Sequence, residues 1–384
     1  MASCVISDSL SCRFPGKALT EVLALLRQGY FSEAGSLLLS APECATVGTP
    51  PDQRYQCLLL LAWLEVTQDR ERGRTTLCTA LSFGRQAGIS ECVLCQAPDI
   101  LAALCAEALT HSIETEYVQR LVRNAHLQPP SPAVLRWPYP VRIHTLGRPA
   151  IVVEGEPVVF TGKAQRRPLE LLYYLVANGG REVAVTRLID TLWAEDGGMV
   201  SRGAFDMALN RLRRLLRVPE SLLLHGGRLS LSDRVCWVDV RALERLLGDA
   251  DSEPDSGCRL ALLERSLGLY QGDFLKGEEA GWVALARERL RSRIMRSLNR
   301  AGEHLEDAGR WPEAAHLYDR ARELFPLEEE LCRRLLRSHI QQGELVQARH
   351  LYDRCRELFA KVLGVLPSAS TVALINRLSA GRPQ

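Results

Sequence analysis

From about Ala18 to Leu127, apolar residues recur at the three- and four-residue intervals of amphipathic helices. Leu19, Leu23 and Leu26, then Ala34, Leu37 and Leu38, flank the turn Gln28-Gly29-Tyr30-Phe31-Ser32-Glu33-Ala34. Leu58, Leu61, Ala62 and Glu65 with Leu77, Ala80, Leu81 and Gly84 make a second helix pair, and Pro98 starts a further helix, where its missing N–H costs nothing. Past Val141 the period drops to two. Val141–Leu146, Ala150–Val153 and Val158–Phe160 read as short strands, with a turn at Gly155-Glu156. Helical spacing returns over Pro168–Ala177, stopped by Asn178-Gly179-Gly180, then over Arg187–Trp193 behind a Thr186 cap, and over Ser201–Arg217. Leu222-Leu223-Leu224, Gly226-Gly227, Leu229-Ser230-Leu231 and Cys236-Trp237-Val238 read as a closing hairpin. A small sheet, three helices and a hairpin predict a winged helix-turn-helix in a mainly α chain.

The last segment repeats itself. Ala314-Ala315-His316-Leu317-Tyr318-Asp319-Arg320-Ala321-Arg322-Glu323-Leu324-Phe325 recurs 34 residues later as Ala348-Arg349-His350-Leu351-Tyr352-Asp353-Arg354-Cys355-Arg356-Glu357-Leu358-Phe359, and Gly309 recurs as Gly343. That period resembles the tetratricopeptide repeat, a helix pair that buries its apolar face only by stacking on neighbours. The turn Gly309-Arg310-Trp311-Pro312-Glu313-Ala314 echoes the one at Gly29, so both flanks of the winged helix are expected to be helical-repeat arms. Prolines from Pro129 to Pro140, and the acidic, breaker-rich stretch around Asp249–Gly257, mark two breaks. The expected organisation is a flexible N-terminus over 1–17, helical repeats over 18–127, and a Pro-rich linker over 128–140. The winged helix follows over 141–248, an acidic linker over 249–257, and a tetratricopeptide-type domain over 258–384.

The 384 residues, 46% of them hydrophobic, suffice for two or three cores, which excludes disorder as the main state. A net charge of only +2 excludes a wholesale basic or acidic coat, so any electrostatic binding is local. Locally the middle stands out, with 14 cations against 11 anions over 141–240 and 11 against 13 before it. No apolar run approaches the roughly 20 residues of a membrane helix, and no cationic lead precedes an apolar stretch, so a cytoplasmic location is expected. The 12 cysteines lie mostly in apolar helical stretches and are expected as reduced, buried thiols.

Candidate chemistry gathers on the third helix of the middle segment. Phe205, Leu209, Leu212 and Leu216 fall within about 60° of one another and face the core. Gly203, Met207, Asn210, Arg211 and Arg214 then lie opposite, with Arg202, Arg213 and Arg217 on the shoulders and Asp206 the one acid. Such a helix fits a major groove, where Arg pairs bidentately with guanine and Asn with adenine. Lys163, Arg166 and Arg167, just before the first helix of the domain, suit phosphates, and Arg228 sits at the tip of the wing. The candidate DNA-binding residues are therefore Arg202, Met207, Asn210, Arg211, Arg214, Arg228, Lys163 and Arg167.

Leu146-Gly147, Arg166-Arg167-Pro168-Leu169-Glu170-Leu171-Leu172, Leu188-Ile189-Asp190-Thr191-Leu192-Trp193, Leu209-Asn210-Arg211-Leu212-Arg213-Arg214-Leu215-Leu216 and Trp237-Val238-Asp239-Val240 carry a family resemblance. They resemble the OmpR-type winged helix of SARP-like bacterial transcriptional regulators. Further on, Leu267-Gly268-Leu269-Tyr270-Gln271-Gly272-Asp273-Phe274-Leu275, Trp282 and Arg287-Glu288-Arg289-Leu290 resemble the bacterial transcriptional activator domain that follows it in that family. The resemblance implies a sequence-specific DNA-binding regulator, more often an activator. It implies double-stranded promoter DNA and RNA polymerase as partners, and a protein or small-molecule effector on the repeat surface; a homo-oligomer on DNA stays open. Many relatives have an aromatic residue after the paired wing glycines, where this chain has Arg228-Leu229. The first segment is more distantly similar to the helical arm of large ATP-binding regulators. Neither Gly16-Lys17 nor Gly162-Lys163 has the upstream glycine of a phosphate loop, and the helical first segment is not a receiver domain.

Other candidates weigh less. Cys92 and Cys95, with Cys105 and His111, match no common zinc spacing and read as buried thiols. No Ser, Cys, His and carboxylate set forms a nucleophilic motif, so neither catalysis nor a cofactor nor a metal is expected. The acidic stretches at Glu278-Glu279 and Glu328-Glu329-Glu330 read as solvated helix ends, and Trp282 and Trp311 as packing. The alternative function is a tetratricopeptide-type scaffold whose winged helix binds protein rather than DNA.

Overall fold

The computed structural model describes residues 17–40, 49–90, 94, 97–159, 166–194 and 198–380. The expected flexible N-terminus up to residue 16, Cys92, Cys95, Phe160 and Lys163 lie outside the described residues. The chain divides between Pro138 and Tyr139 into two compact units.

The first unit contains α1 (Lys17–Gln28), α2 (Phe31–Ser40), α3 (Pro51–Gln68), α4 (Arg70–Gln86), α5 (Pro98–Thr110) and α6 (Thr115–Asn124). Val22, Leu23, Leu26, Ala34 and Leu38 are buried, as the spacing predicts. In α3 Tyr55, Leu59, Leu60 and Ala62 are fully buried, so of the expected stripe Ala62 is in the core while Leu58 and Leu61 are only half-buried. That helix touches α2, α4 and α5, so a run that is apolar all round is covered on several sides. Asp69 caps α4 by accepting from the Glu71 and Arg72 amides at 3.0 and 3.3 Å, and Pro98 stands at the start of α5. Residues 128–140 form neither helix nor strand, yet Ala133, Val134 and Trp137 are buried. The Arg136 carbonyl accepts from the Gln119 side chain of α6 at 2.9 Å, which ties this proline-rich stretch down.

The second unit starts with β1 (Val141–His144), β2 (Ala150–Val153) and β3 (Glu156–Pro157). The third strand ends before the expected Val158–Phe160, and Val159 is exposed. Next come α7 (Arg166–Ala177), β4 (Val183–Ala184), α8 (Val185–Leu192), α9 (Gly198–Leu216), β5 (Leu222–His225), β6 (Arg228–Leu231) and β7 (Cys236–Val238). The wing is a three-stranded sheet in the order β4-β6-β5. Contrary to the expected hairpin, β7 leaves the wing and lies parallel to β1, Val141 opposite Cys236, closing the four-stranded order β3-β2-β1-β7. Strand periodicity fixes which face a residue takes but not its neighbouring strand. Thr186 does not cap α8. The strand β4 runs straight into that helix, and the Gly227 carbonyl takes the Val185 amide at 2.9 Å.

The helical remainder is α10 (Asp239–Ser252), α11 (Ser256–Leu269), α12 (Gly281–Asp307), α13 (Trp311–Leu324), α14 (Glu329–Gln341), α15 (Leu345–Leu363) and α16 (Ala369–Ala380). Most of the acidic stretch expected as a linker is helical. Only Glu253 to Asp255 separates α10 from α11, and Asp255 caps α11 through the Cys258 amide at 2.7 Å. One hydrophobic core runs from Val141 to Ile375, through the winged helix and the helices after it. Tyr174 of α7 meets Trp282 of α12 edge to face at 5.2 Å. The loop after β1 is stitched to the loop before α12 by backbone bonds from Leu275 N to Thr145 O, Gly147 N to Asp273 O and Lys276 N to Gly147 O, at 2.7, 3.0 and 3.1 Å.

The 34-residue repeat is visible in three dimensions. Gly309 and Gly343 both take positive φ, 69° and 76°, and Ala314 and Ala348 are both fully buried. Glu328 and Glu329 are bonded rather than merely solvated. Arg291 pairs with Glu328 at 2.6 Å, and Glu329 accepts from the Ser368 amide and the Thr371 hydroxyl at 2.7 and 2.6 Å. Gly302 of α12 lets the buried Tyr318 ring of α13 lie against the helix, where a Cβ would run into it. The Gly302→Val variant is expected to lose about 2–3 kcal/mol of stability by overpacking, read as an earlier urea midpoint.

Cys332 and Cys355, expected as reduced thiols, are joined in a disulfide between α14 and α15. The expectation holds better at Cys236, where burial pushes the thiol up to about 12. Alkylation of the native protein at neutral pH should therefore modify the exposed Cys78 and Cys258 and spare Cys236 until denaturant is added, with peptide mass mapping as the readout. Cys105 is buried, and His111 lies 3.2 Å from Glu107. Among the described residues no helix is long and apolar enough to cross a membrane.

Candidate nucleic-acid interface

The helix α9 seats itself through Phe205, Ala208, Leu209, Leu212 and Leu216, all buried. Trp193, just past α8, meets Phe205 of α9 edge to face at 6.2 Å. Arg202, Gly203, Asp206, Met207, Asn210, Arg211, Arg214 and Arg217 are exposed, and Arg213 is half-buried on the shoulder. A thioether 60% exposed at Met207 is an uncommon placement for so apolar a group, and it lies in the middle of the arginine face.

Among the described residues the side chains of Asn210 and Arg214 make no hydrogen bond or ion pair. Arg202 pairs with Asp206 at 3.5 Å and lies 5.6 Å from the Phe205 ring centroid. Both partners are more than half exposed, and such a pair contributes about 0–1 kcal/mol, so Arg202 can exchange Asp206 for another anion. The face is cationic, open and rigidly backed. Arg217 ends the helix in the left-handed region at φ 56°.

The structure separates the other candidates. Arg167 donates to Glu170 at 3.0 Å and to the Leu192 carbonyl at 2.7 Å, and lies 5.9 Å from the Trp193 ring. It thereby covers the C-terminal end of α8 while half of its side chain stays exposed. Arg166 pairs with the same Glu170 at 2.8 Å. Arg228 stands at the start of β6 and donates to the Glu182 carbonyl at 3.0 Å. The wing turn needs Gly226 and Gly227 because both take positive φ, 54° and 72°, the two-residue geometry that matches the twist of paired strands.

Two supports behind the helices were not visible as such in the sequence. Arg241 is buried, donates to the Gly179 carbonyl at 3.1 Å and pairs with Asp233 at 2.6 Å, which holds the turn after α7. Asp239, at the start of α10, accepts from the Thr145 amide, the Thr145 hydroxyl, the Leu146 amide and the Val240 amide, all between 2.6 and 2.8 Å. Trp237 is covered by Arg142 at 4.2 Å and His144 at 5.3 Å, where burial lowers the His144 pKa. The one sequence signal for these supports is the run Trp237-Val238-Asp239-Val240, which the family resemblance already included.

Comparison with known proteins adds an identity for the helices that follow. Residues 238–379 match the bacterial transcriptional activator domain. Among curated proteins none matches the chain. Among solved structures, Mycobacterium tuberculosis EmbR in complex with a low affinity phosphopeptide is similar at 21% identity and a TM-score of 0.46. That similarity covers 64% of this chain and spans 66% of the EmbR chain. Within one folded unit, a segment matching the bacterial transcriptional activator domain stands directly behind a winged helix-turn-helix.

Proposed function

We propose that the protein is a sequence-specific DNA-binding transcriptional regulator, acting as an activator, that inserts α9 into the major groove. The observation that carries this reading is the outer face of α9, where Asn210 and Arg214 stand exposed and, among the described residues, unbonded on a helix whose other side is locked into the core. Asn210, Arg211 and Arg214 read base edges, while Arg202 leaves Asp206 for a base or a phosphate and Met207 supplies apolar contact to a thymine methyl. Arg167 and Arg228, each with guanidinium donors to spare, contact phosphates, as does Lys163 from outside the described residues. RNA polymerase is the partner of the activator-domain helices, by the role of the matched family. This reading assigns no catalysis to the chain.

Selection from random duplex oligonucleotides tests the proposal. Enrichment of a common motif, with binding that weakens steeply as salt rises, supports it. Failure to enrich any motif, together with salt-insensitive binding of a protein partner by the winged helix, overturns it in favour of a scaffold.

A further inference from the structure

The end of α7, the start of α8, and helices α10 and α12 line an open cleft of about 750 Å³. That volume lies within the roughly 300–1,000 Å³ of small-ligand sites. Arg289, Arg293 and Arg296 reach it from one face of α12 at four- and three-residue spacing, and Arg187 reaches it from the first turn of α8. Glu244 and Glu288 are its two acids.

Elsewhere on the same helices arginines are tied to carboxylates. Arg245 pairs with Asp249 at 3.0 Å, Arg291 with Glu328 at 2.6 Å and Arg300 with Asp251 at 3.7 Å. In the cleft, among the described residues, none of the six charged side chains is in an ion pair. Arg289 donates to the Ala177 carbonyl, and Arg293 donates to the Glu244 carbonyl at 3.3 Å. The Nε of Arg293 is buried without a partner, and the Glu288 carboxylate is occupied by the Ser292 hydroxyl at 3.2 Å. Arg187 and Arg296 make no bond among the described residues. A guanidinium has five donors, so most of the donors in this cleft are uncommitted. Four guanidiniums against two carboxylates, of which Glu244 is drawn to Arg293 and Arg289, leave the cleft net cationic, and a multivalent oxyanion would balance the excess while filling the open forks bidentately.

We propose that this cleft binds a small phosphorylated effector, with Arg187, Arg289, Arg293 and Arg296 holding its phosphate oxygens. The proposal stands independently of the role given to α9. It also puts the ligand at the junction of the winged helix and the activator-domain helices, where occupancy would brace Arg187 against α12.

Calorimetric titration of the full chain with pyrophosphate at low salt is the test. Saturable binding at one site per chain is expected. Arg187→Glu and Arg296→Glu, which break no bond seen within the protein, should each weaken it about tenfold, whereas the equal charge change Arg320→Glu on α13 should not. A duplex of random sequence, titrated into the same variants, identifies the source of the phosphate. Unchanged duplex affinity supports a small ligand; duplex affinity that falls in parallel assigns the cleft to backbone phosphates and overturns the effector. Pyrophosphate binding that does not saturate, or that survives both substitutions, overturns the site itself.

Discussion

Replacing Arg211 and Arg214 together by alanine is expected to lower affinity for a selected duplex by about 100-fold or more while the helical signal in circular dichroism stays intact. Each bidentate arginine–guanine pair discriminates by roughly 1–3 kcal/mol, so removing two reaches or exceeds two decades. Both side chains are exposed on α9, so neither substitution opens the core formed by Phe205, Leu209, Leu212 and Leu216. The variant also separates reading from gripping. If either arginine holds a phosphate instead, the slope of log affinity against log salt falls by about 0.9 for each phosphate no longer neutralised, and affinity for non-selected duplexes falls with it. Wild-type affinity in a gel-shift titration of the double variant would remove α9 from the interface.

The second large effect is expected at Asp239, which is 3% exposed and accepts from donors 94 residues away in sequence. Asp239→Ala leaves the Thr145, Leu146 and Val240 amides buried without an acceptor. An orphaned buried donor costs about 1–3 kcal/mol, and three in one cluster, allowing for partial relaxation, put the loss at about 3–6 kcal/mol. A domain has about 5–15 kcal/mol in total, so this variant should be largely unfolded well below the wild-type melting temperature. Thr145→Val, which removes only the hydroxyl bond, should cost about 1 kcal/mol. Urea denaturation of the pair measures both. A difference between them under about 1 kcal/mol would reduce the carboxylate to a minor support.

What could be read from the sequence follows from how local each determinant is. The face of α9 was legible because a helix declares its buried stripe within its own residues, and the fold buries the four predicted apolar positions. The stop of α7 at Gly179-Gly180 was legible for the same reason: both glycines take positive φ, and their amides close on Val176 and Leu175. The partner of Cys236–Val238 was not, since a short strand with all three residues buried fits against either small sheet. The Thr186 cap failed because β4 runs directly into α8, so the helix starts at Val185, whose amide goes to the distant Gly227 carbonyl, and Thr186 falls inside the first turn instead of before it. The cleft arginines stayed hidden for a related reason, since Arg187 and Arg296 lie far apart in the sequence and meet only through the packing of α7 on α12.

The backbone stitch between Thr145–Gly147 and Asp273–Lys276 bears on how this protein can be recombined. A chimaera that exchanges the winged-helix half at residues 249–257 severs those pairings and strips cover from Tyr270, Phe274 and Leu275, so the graft is set up to aggregate rather than to take on the donor's properties. The portable cassette runs from Tyr139 to the last repeat helix, and retargeting is better attempted by rewriting the outward positions of α9 than by swapping the body that carries them.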